Sequence, residues 1–239
     1  MNNGADKKIK DFYENWEVEN LPKYIKILME LEEKLIVDII TNLEDFNNIK
    51  KKKNAVILDC GCGFGSFYNL TKNLNTLYLD FSFNLLKKFE NIHNLKTNKI
   101  CGDVSNLPFK NGSFDLVLCI NVLEHIIDYK NALNEIKRVL KNDGIAIFVV
   151  VNSESFINEE IFNDFTIYHK PLCLKDFNTE GFYLKDYKTF YFIPPILKVF
   201  PTVILEKISN VFYNGLDSKL GRIFKRKGQF LYVVLKKEK

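Results

Sequence analysis

Apolar residues along this chain keep two different periods. Leu28, Leu31, Leu35, Ile36, Ile39, Ile40 and Leu43 recur at helical spacing, with Glu30, Glu32, Glu33 and Lys34 between them. That period predicts an amphipathic helix whose charged set faces away from the core, and residues 1–50 as a whole read as helical. Beyond residue 54 the apolar positions bunch into short runs at 56–58, 76–79, near 98–101, 113–120 and 145–151. Apolar runs without alternation suit strands buried on both faces of a parallel sheet. Helical stretches fall between them at 66–73 and 84–91. A third carries the stripe Tyr129, Ala132, Leu133, Ile136, Val139 and Leu140, with Asp128 as its cap and Asn142-Asp143-Gly144 as its stop. Strand alternating with helix from 55 to 151 predicts a doubly wound parallel sheet.

The later part continues with a strand at 183–190 and another at 229–235. About forty residues, 190–228, separate them. They hold Ile193-Pro194-Pro195-Ile196-Leu197 and then Ile204, Ile208, Val211, Phe212, Leu216, Leu220, Ile223 and Phe224 at helical spacing, interleaved with Lys207, Lys219, Arg222, Lys225, Arg226 and Lys227. The segment reads as a helical lid over the site, or as an amphipathic surface that touches a membrane. The expected organisation is one domain over 1–239: a helical cover at 1–53, a ligand-binding core at 54–151, and a second half at 152–239 that contains the insertion.

Composition narrows the class. The chain has 239 residues, 46% hydrophobic and 27% charged, which is ordinary for a soluble globular protein. A formal charge of +4 is too mild to point to nucleic acid, and no nucleic-acid partner is expected. Residues 1–10 carry no apolar run, so a secretory signal is not expected. The longest apolar stretch, 190–205, is broken by three prolines and Lys198 and falls short of a membrane span. Five cysteines without scaffold spacing suggest reduced thiols and a cytoplasmic home. Cys60 and Cys62 have no second pair to complete a zinc site.

The chemistry gathers at Leu58-Asp59-Cys60-Gly61-Cys62-Gly63-Phe64-Gly65, where a strand breaks into a glycine turn ahead of a helix start. Glycines there let the backbone approach a ligand, and a helix start offers unpaired N–H groups. Asp80 ends the next strand 21 residues after Asp59, where a carboxylate can take a ribose diol. A dinucleotide fingerprint would put its third glycine three residues after the second; Ser66 stands there instead. Phe12, Tyr13 and Trp16 read as an aromatic flap over a pocket, and Lys50 to Lys53 as a solvated linker.

These elements, followed in order by Gly102-Asp103-Val104, Leu107-Pro108-Phe109, Phe114-Asp115-Leu116-Val117, Leu123-Glu124-His125 and Glu135 to Leu140, resemble the class I S-adenosylmethionine-dependent methyltransferases. The match is nearest to the group of quinone-biosynthesis and other small-molecule methyltransferases. The resemblance implies an α/β, Rossmann-like, seven-stranded mixed sheet with S-adenosyl-L-methionine as cofactor. It implies that Gly61, Cys62 and Gly63 cradle the methionine end, helped by Asp59. Asp80 would hold the ribose, and Asp103 and Val104 the adenine, walled by Phe81 and Leu107. Asn121 would lie near the methionine amino group. The acceptor is then a small molecule, apolar or lipid-like, with a non-catalytic regulatory or scaffolding protein as the alternative. His125 is the candidate general base, or a residue that only caps the following helix; His169 is a candidate wall of the acceptor pocket. Some quinone-ring relatives bind a divalent ion with an acid three residues before this glutamate. Asn121 stands there here, so no metal is expected. His93 reads as surface. Oligomeric state is not legible.

Overall fold

The apolar runs pair because each has both faces to bury. In the computed structural model, which describes residues 3–94, 98–156, 169–192 and 201–239, they form one seven-stranded sheet. Its strands are β1 (Val56–Cys60), β2 (Asn75–Asp80), β3 (Lys99–Cys101), β4 (Phe114–Ile120), β5 (Leu140–Val151), β6 (Phe182–Phe190) and β7 (Phe230–Lys237). The order is β3-β2-β1-β4-β5-β7-β6. The first five are parallel, with Leu58 opposite both Leu77 and Val117, and β7 runs antiparallel between β5 and β6. The chain order reverses direction between β1 and β4, so a crevice opens at their carboxyl ends.

Helices α1 (Asn3–Glu14), α2 (Lys23–Asn42) and α3 (Glu44–Lys51) precede the sheet. Ile36, Ile40 and Phe46 bury the sheet face they cover. On the opposite face α6 (Tyr129–Val139) packs Leu133, Ile136 and Val139 against Phe148, capped by Asp128 accepting from the Asn131 N–H at 3.1 Å. Between them in sequence, α4 (Tyr68–Thr71) and α5 (Phe83–His93) flank β2.

Several expectations change. The helix after the glycine turn is only four residues long, because the turn itself uses 61 to 67. β3 joins β4 through a loop, as the sequence reads, and Arg138 holds that loop by donating to the carbonyls of Phe109 (2.7 Å) and Leu107 (2.9 Å). Leu107 is thereby buried under α6 and does not wall the crevice. Asn142 to Gly144 do not separate helix from strand. They form an irregularity inside β5, where pairing jumps from Phe114–Leu140 to Leu116–Ile145 and Asp143 takes φ 62°. Lys50 and Lys51 close α3, and Lys52 pairs with buried Asp115, which also accepts from Lys141 at 2.6 Å and the Val56 N–H at 2.9 Å. The run is solvent-exposed as expected, and Lys52 alone of it clamps the amino end of the sheet through Asp115. His93 is half-buried, its ring 4.5 Å from that of Tyr68.

Within the insertion, Ile193 to Leu197 lie outside the described residues. Helices α7 (Thr202–Val211) and α8 (Asp217–Ile223) follow, joined by a π-helical turn. Leu205 is buried, and Ile208, Leu216 and Leu220 pack on the same core as α2.

Candidate functional site

At the carboxyl end of β1 the backbone enters the left-handed region three times, at Gly61 (φ 82°), Gly63 (54°) and Gly65 (87°). A Cβ on Gly61 would lie 2.3 Å from Val122 Cγ2, so this position admits no side chain. At Gly63 a Cβ would meet nothing within 4 Å. The glycine N–H groups of the turn are taken up within the protein. Gly61 and Cys62 donate to the Leu79 carbonyl (2.7 and 3.0 Å), Gly63 to Asp80 Oδ2 (2.8 Å) and Gly65 to the Cys62 carbonyl (2.9 Å). It is a bracket that ties β1 to β2 and places carboxylates around an opening.

That opening is a cavity of about 700 Å³. Its walls include Asp59, Gly61, Cys62, Gly63, Asp80, Phe81, Asp103, Val104, Asn121, His125 and His169, so the residues singled out from the sequence for cofactor or acceptor, Leu107 apart, meet in one space. Asp80 is nearly buried; its Oδ1 accepts from Ser82 N–H at 2.9 Å. Burial pushes its carboxyl up to about 6 against those backbone donors. Asp59 is buried with Oδ2 lacking a partner among the described residues, and desolvation, then the Asp80 charge, push it up to about 7. Asp103 is half-exposed and pairs with Lys10 at 3.2 Å.

The last residue before the β4 loop, Asn121, takes φ 55°, a conformation asparagine tolerates better than most side chains. Its N–H donates to the Val149 carbonyl (2.8 Å), and its Nδ2 donates to Glu32 Oε1 at 2.5 Å, leaving Oδ1 without a partner among the described residues. Glu32 is thus not on the solvent face of α2. It is 6% exposed, and burial pushes it up to about 8 against the Asn121 bond. Sequence reasoning missed it, although the signal was present. Glu32 lies four residues after Leu28 and four before Ile36, in phase with the buried stripe.

α1, the segment after it and the start of α2 roof the cavity with Ile9, Lys10, Tyr13, Trp16, Ile25 and Met29. Of the expected aromatic flap, Tyr13 and Trp16 line the cavity and Phe12 packs behind them; the Tyr13 ring lies 6.0 Å from that of Phe81 and 5.2 Å from that of His125. Burial, then the Glu124 and Asp80 charges, hold the Tyr13 phenol far above its usual value. No described residue between 201 and 228 lines the cavity, so the described part of the insertion is not its lid.

Beyond Asn121, Glu124 is 1% exposed; its Oε1 accepts from the Val151 N–H at 3.2 Å and its Oε2 lacks a partner among the described residues. Desolvation pushes it up to about 7. The His125 and His169 rings lie 5.3 Å apart. Burial lowers His169, whose Nδ1 is without a partner among the described residues. Glu124, His125 and His169 each bring one ligand-type atom within 4.8 Å of the others, a grouping the sequence expectation of no metal did not foresee.

Residues 58–148 match the family described as "Methyltransferase domain". The chain is 53% identical to an uncharacterised protein of Methanocaldococcus jannaschii over 97% of its own length and all of that protein's. It is 33% identical to a demethylmenaquinone methyltransferase of Staphylococcus carnosus, covering 48% of this chain and 57% of that one. Among solved structures, a SAM-dependent methyltransferase from Thermotoga maritima aligns over 97% of this chain and all of its own, with TM-score 0.58 and 17% identity, a likeness of fold.

Proposed function

Since the chain belongs to the class I S-adenosylmethionine-dependent methyltransferases, we propose that it methylates a small-molecule acceptor with an apolar body in the cavity at the carboxyl ends of β1, β2 and β4. The observation that carries this reading is the set of unsatisfied buried acceptors facing one space. Asp59 Oδ2 and Asn121 Oδ1 lie beside a glycine turn with room at Gly63. Buried polar atoms left without partners are costly, and an ammonium group satisfies them. The residues therefore fit the cofactor. Asp59 and Asn121 take the methionine ammonium and Gly61 to Gly63 line its path. Asp80, whose two oxygens keep lone pairs beyond their backbone donors, takes the ribose hydroxyls. Asp103 takes the adenine amino group, with Phe81 and Val104 as apolar walls.

Bound there, the cofactor supplies a methyl group on a sulfonium, an already activated carbon. The chain's own work is to align the acceptor, exclude water and receive a proton where the acceptor has one to lose. Trp16, Ile25, Met29 and Val151 form the apolar walls that hold the acceptor's body. His125 and His169 stand where a proton can be taken up. Isothermal titration tests the reading: S-adenosylmethionine and its demethylated product should both bind, and absence of binding by either would end it.

The insertion carries a second property of the same reading. No helix of the described residues is long and apolar enough to cross a membrane. Val203, Val211 and Ile223 are nonetheless well exposed, with Lys207, Arg222 and Lys225 near them in sequence. This surface suits peripheral contact with an anionic bilayer, from which an apolar acceptor is taken. Protein that stays soluble during flotation with anionic vesicles excludes that contact.

A further inference from the structure

The cavity is far more acidic than its cofactor requires. Seven carboxylates line it, those of Glu32, Glu33, Asp59, Asp80, Asp103, Glu124 and Asp128, against one lysine, Lys10, among the described residues. Lys10 sits at the outer end against Asp103. S-adenosylmethionine brings a net single positive charge, from a sulfonium and an ammonium less a carboxylate. Asp59 and Asn121 already answer its ammonium, and Asp80 answers neutral hydroxyls. Glu124 remains. It is buried, its Oε2 lacks a partner among the described residues, and one of its oxygens lies within 4.8 Å of a ring nitrogen of His169, whose Nδ1 also lacks one.

We propose that the acceptor is a basic amine on a small hydrocarbon body, and that Glu124 Oε2 receives the amine nitrogen with His169 beside it. This rests on the methyltransferase reading and names its substrate class. A neutral phenol or quinol offers Glu124 no cation to pair with, and an anionic acceptor is disfavoured beside it. A protonated amine supplies the missing cation, and the aromatic faces of Tyr13 and Trp16 suit an ammonium with alkyl substituents.

The step balances without a further reactant. The ammonium first gives one proton to Glu124 or to water. The freed nitrogen lone pair forms the N–C bond to the methyl carbon as the C–S bond breaks, its electrons remaining on sulfur. The products are a methylated ammonium, the thioether S-adenosylhomocysteine and one proton. Burial holds Glu124 near neutrality, which suits a group that must accept that proton and return it.

The test uses the full chain. Trp16 is the only tryptophan and lines the cavity, so its fluorescence reports occupancy independently of turnover. Phenethylamine, a linear diamine, the matching alcohols, a phenol and a carboxylic acid are titrated with S-adenosylhomocysteine bound, and assayed for methyl transfer with S-adenosylmethionine. Amines should change the Trp16 signal and exceed their alcohols by about 100-fold in kcat/KM, the size expected for a charge-assisted bond to a buried carboxylate. E124Q should lose at least about tenfold on amines while cofactor affinity stays within about threefold. If that variant does not fold, the amine-to-alcohol ratio of the unaltered protein still decides. Methylation of phenols in preference to amines, or full amine turnover by folded E124Q, overturns the proposal. So does turnover abolished by EDTA and restored by a divalent ion without amine preference, which would make Glu124, His125 and His169 metal ligands. Failure of S-adenosylmethionine itself to bind counts against the methyltransferase reading and not against the amine.

Discussion

The floor of the cavity and its roof are held by different kinds of bond. The floor is backbone and buried carboxylate: Leu79 accepts from two N–H groups of the glycine turn, and Asp80 from Gly63 and Ser82. The roof formed by α1 and the segment after it hangs on side chains, exposed at Lys10 and Asn84 and part-buried at Lys88. Lys10 meets Asp103, Lys88 donates to the Trp16 carbonyl at 2.8 Å, and Asn84 to the Glu14 carbonyl at 3.1 Å. Exposed lysine contacts contribute little and open easily. The contrast teaches a division of labour: a fixed cradle below, and above it a cover that can part to admit both ligands.

The strongest way to break that contrast is to damage the floor. Asp80→Ala strands two backbone N–H groups and removes the ribose acceptor. Cofactor affinity should fall by about 100-fold or more by titration calorimetry, at roughly 1.5–3 kcal/mol per lost charged bond. Unchanged affinity would place the ribose elsewhere. Gly61→Ala should come next. Its Cβ meets Val122 at 2.3 Å in a left-handed backbone, which should cost about 1–3 kcal/mol and lower the melting temperature by several degrees.

The floor also sets a pH signature. Burial raises Glu32 to about 8, Asp59 and Glu124 to about 7 and Asp80 to about 6. Carboxyls whose folded values lie above their unfolded ones stabilise the fold while protonated, and lose that contribution as pH rises through the folded values. The ligand-free protein should therefore melt progressively lower from pH 5 to pH 8. The increment produced by S-adenosylmethionine should grow over the same window, because its ammonium then meets ionised groups. Asp115, held at about 2 by Lys141, Lys52 and the Val56 N–H against its own burial, has its window below pH 4 and is silent here. A cofactor increment constant across pH 5–8 would remove Asp59 from the ammonium site.

The roof should respond least. Amide exchange in α1 is expected to be far faster than in β1 and β4 and to slow when cofactor binds; equal protection without ligand would dissolve the contrast. Lys10→Ala should change stability by no more than about 1 kcal/mol, since both partners are about half exposed.

The parts legible in the sequence were those with a local cause. Val56 to Leu58 and Leu116 to Ile120 announce buried strands by composition, and Asp59, Asp80 and Asp103 fall at strand ends where the crevice opens. What escaped was set by partners distant in the chain. Glu32 counts as a solvent charge until Asn121, 89 residues later, is brought against it. The short α4 follows from how far the glycine turn runs before the helix takes hold. The insertion reads as a lid from its amphipathic spacing, yet α2 offers the apolar face its described helices cover. The grouping of Glu124 with His169 needed the whole loop architecture.

The Glu32–Asn121 bond has a consequence for how this lineage can diverge. A short amide-to-carboxylate contact across two distant segments makes the two positions a single heritable unit. An acid at 121, the replacement that would complete a divalent-ion site, would face the buried Glu32 as a second carboxyl with no amide to donate. Descendants should therefore change 32 and 121 together or neither. A sequence pairing acid with acid should be found only where an ion has entered between them.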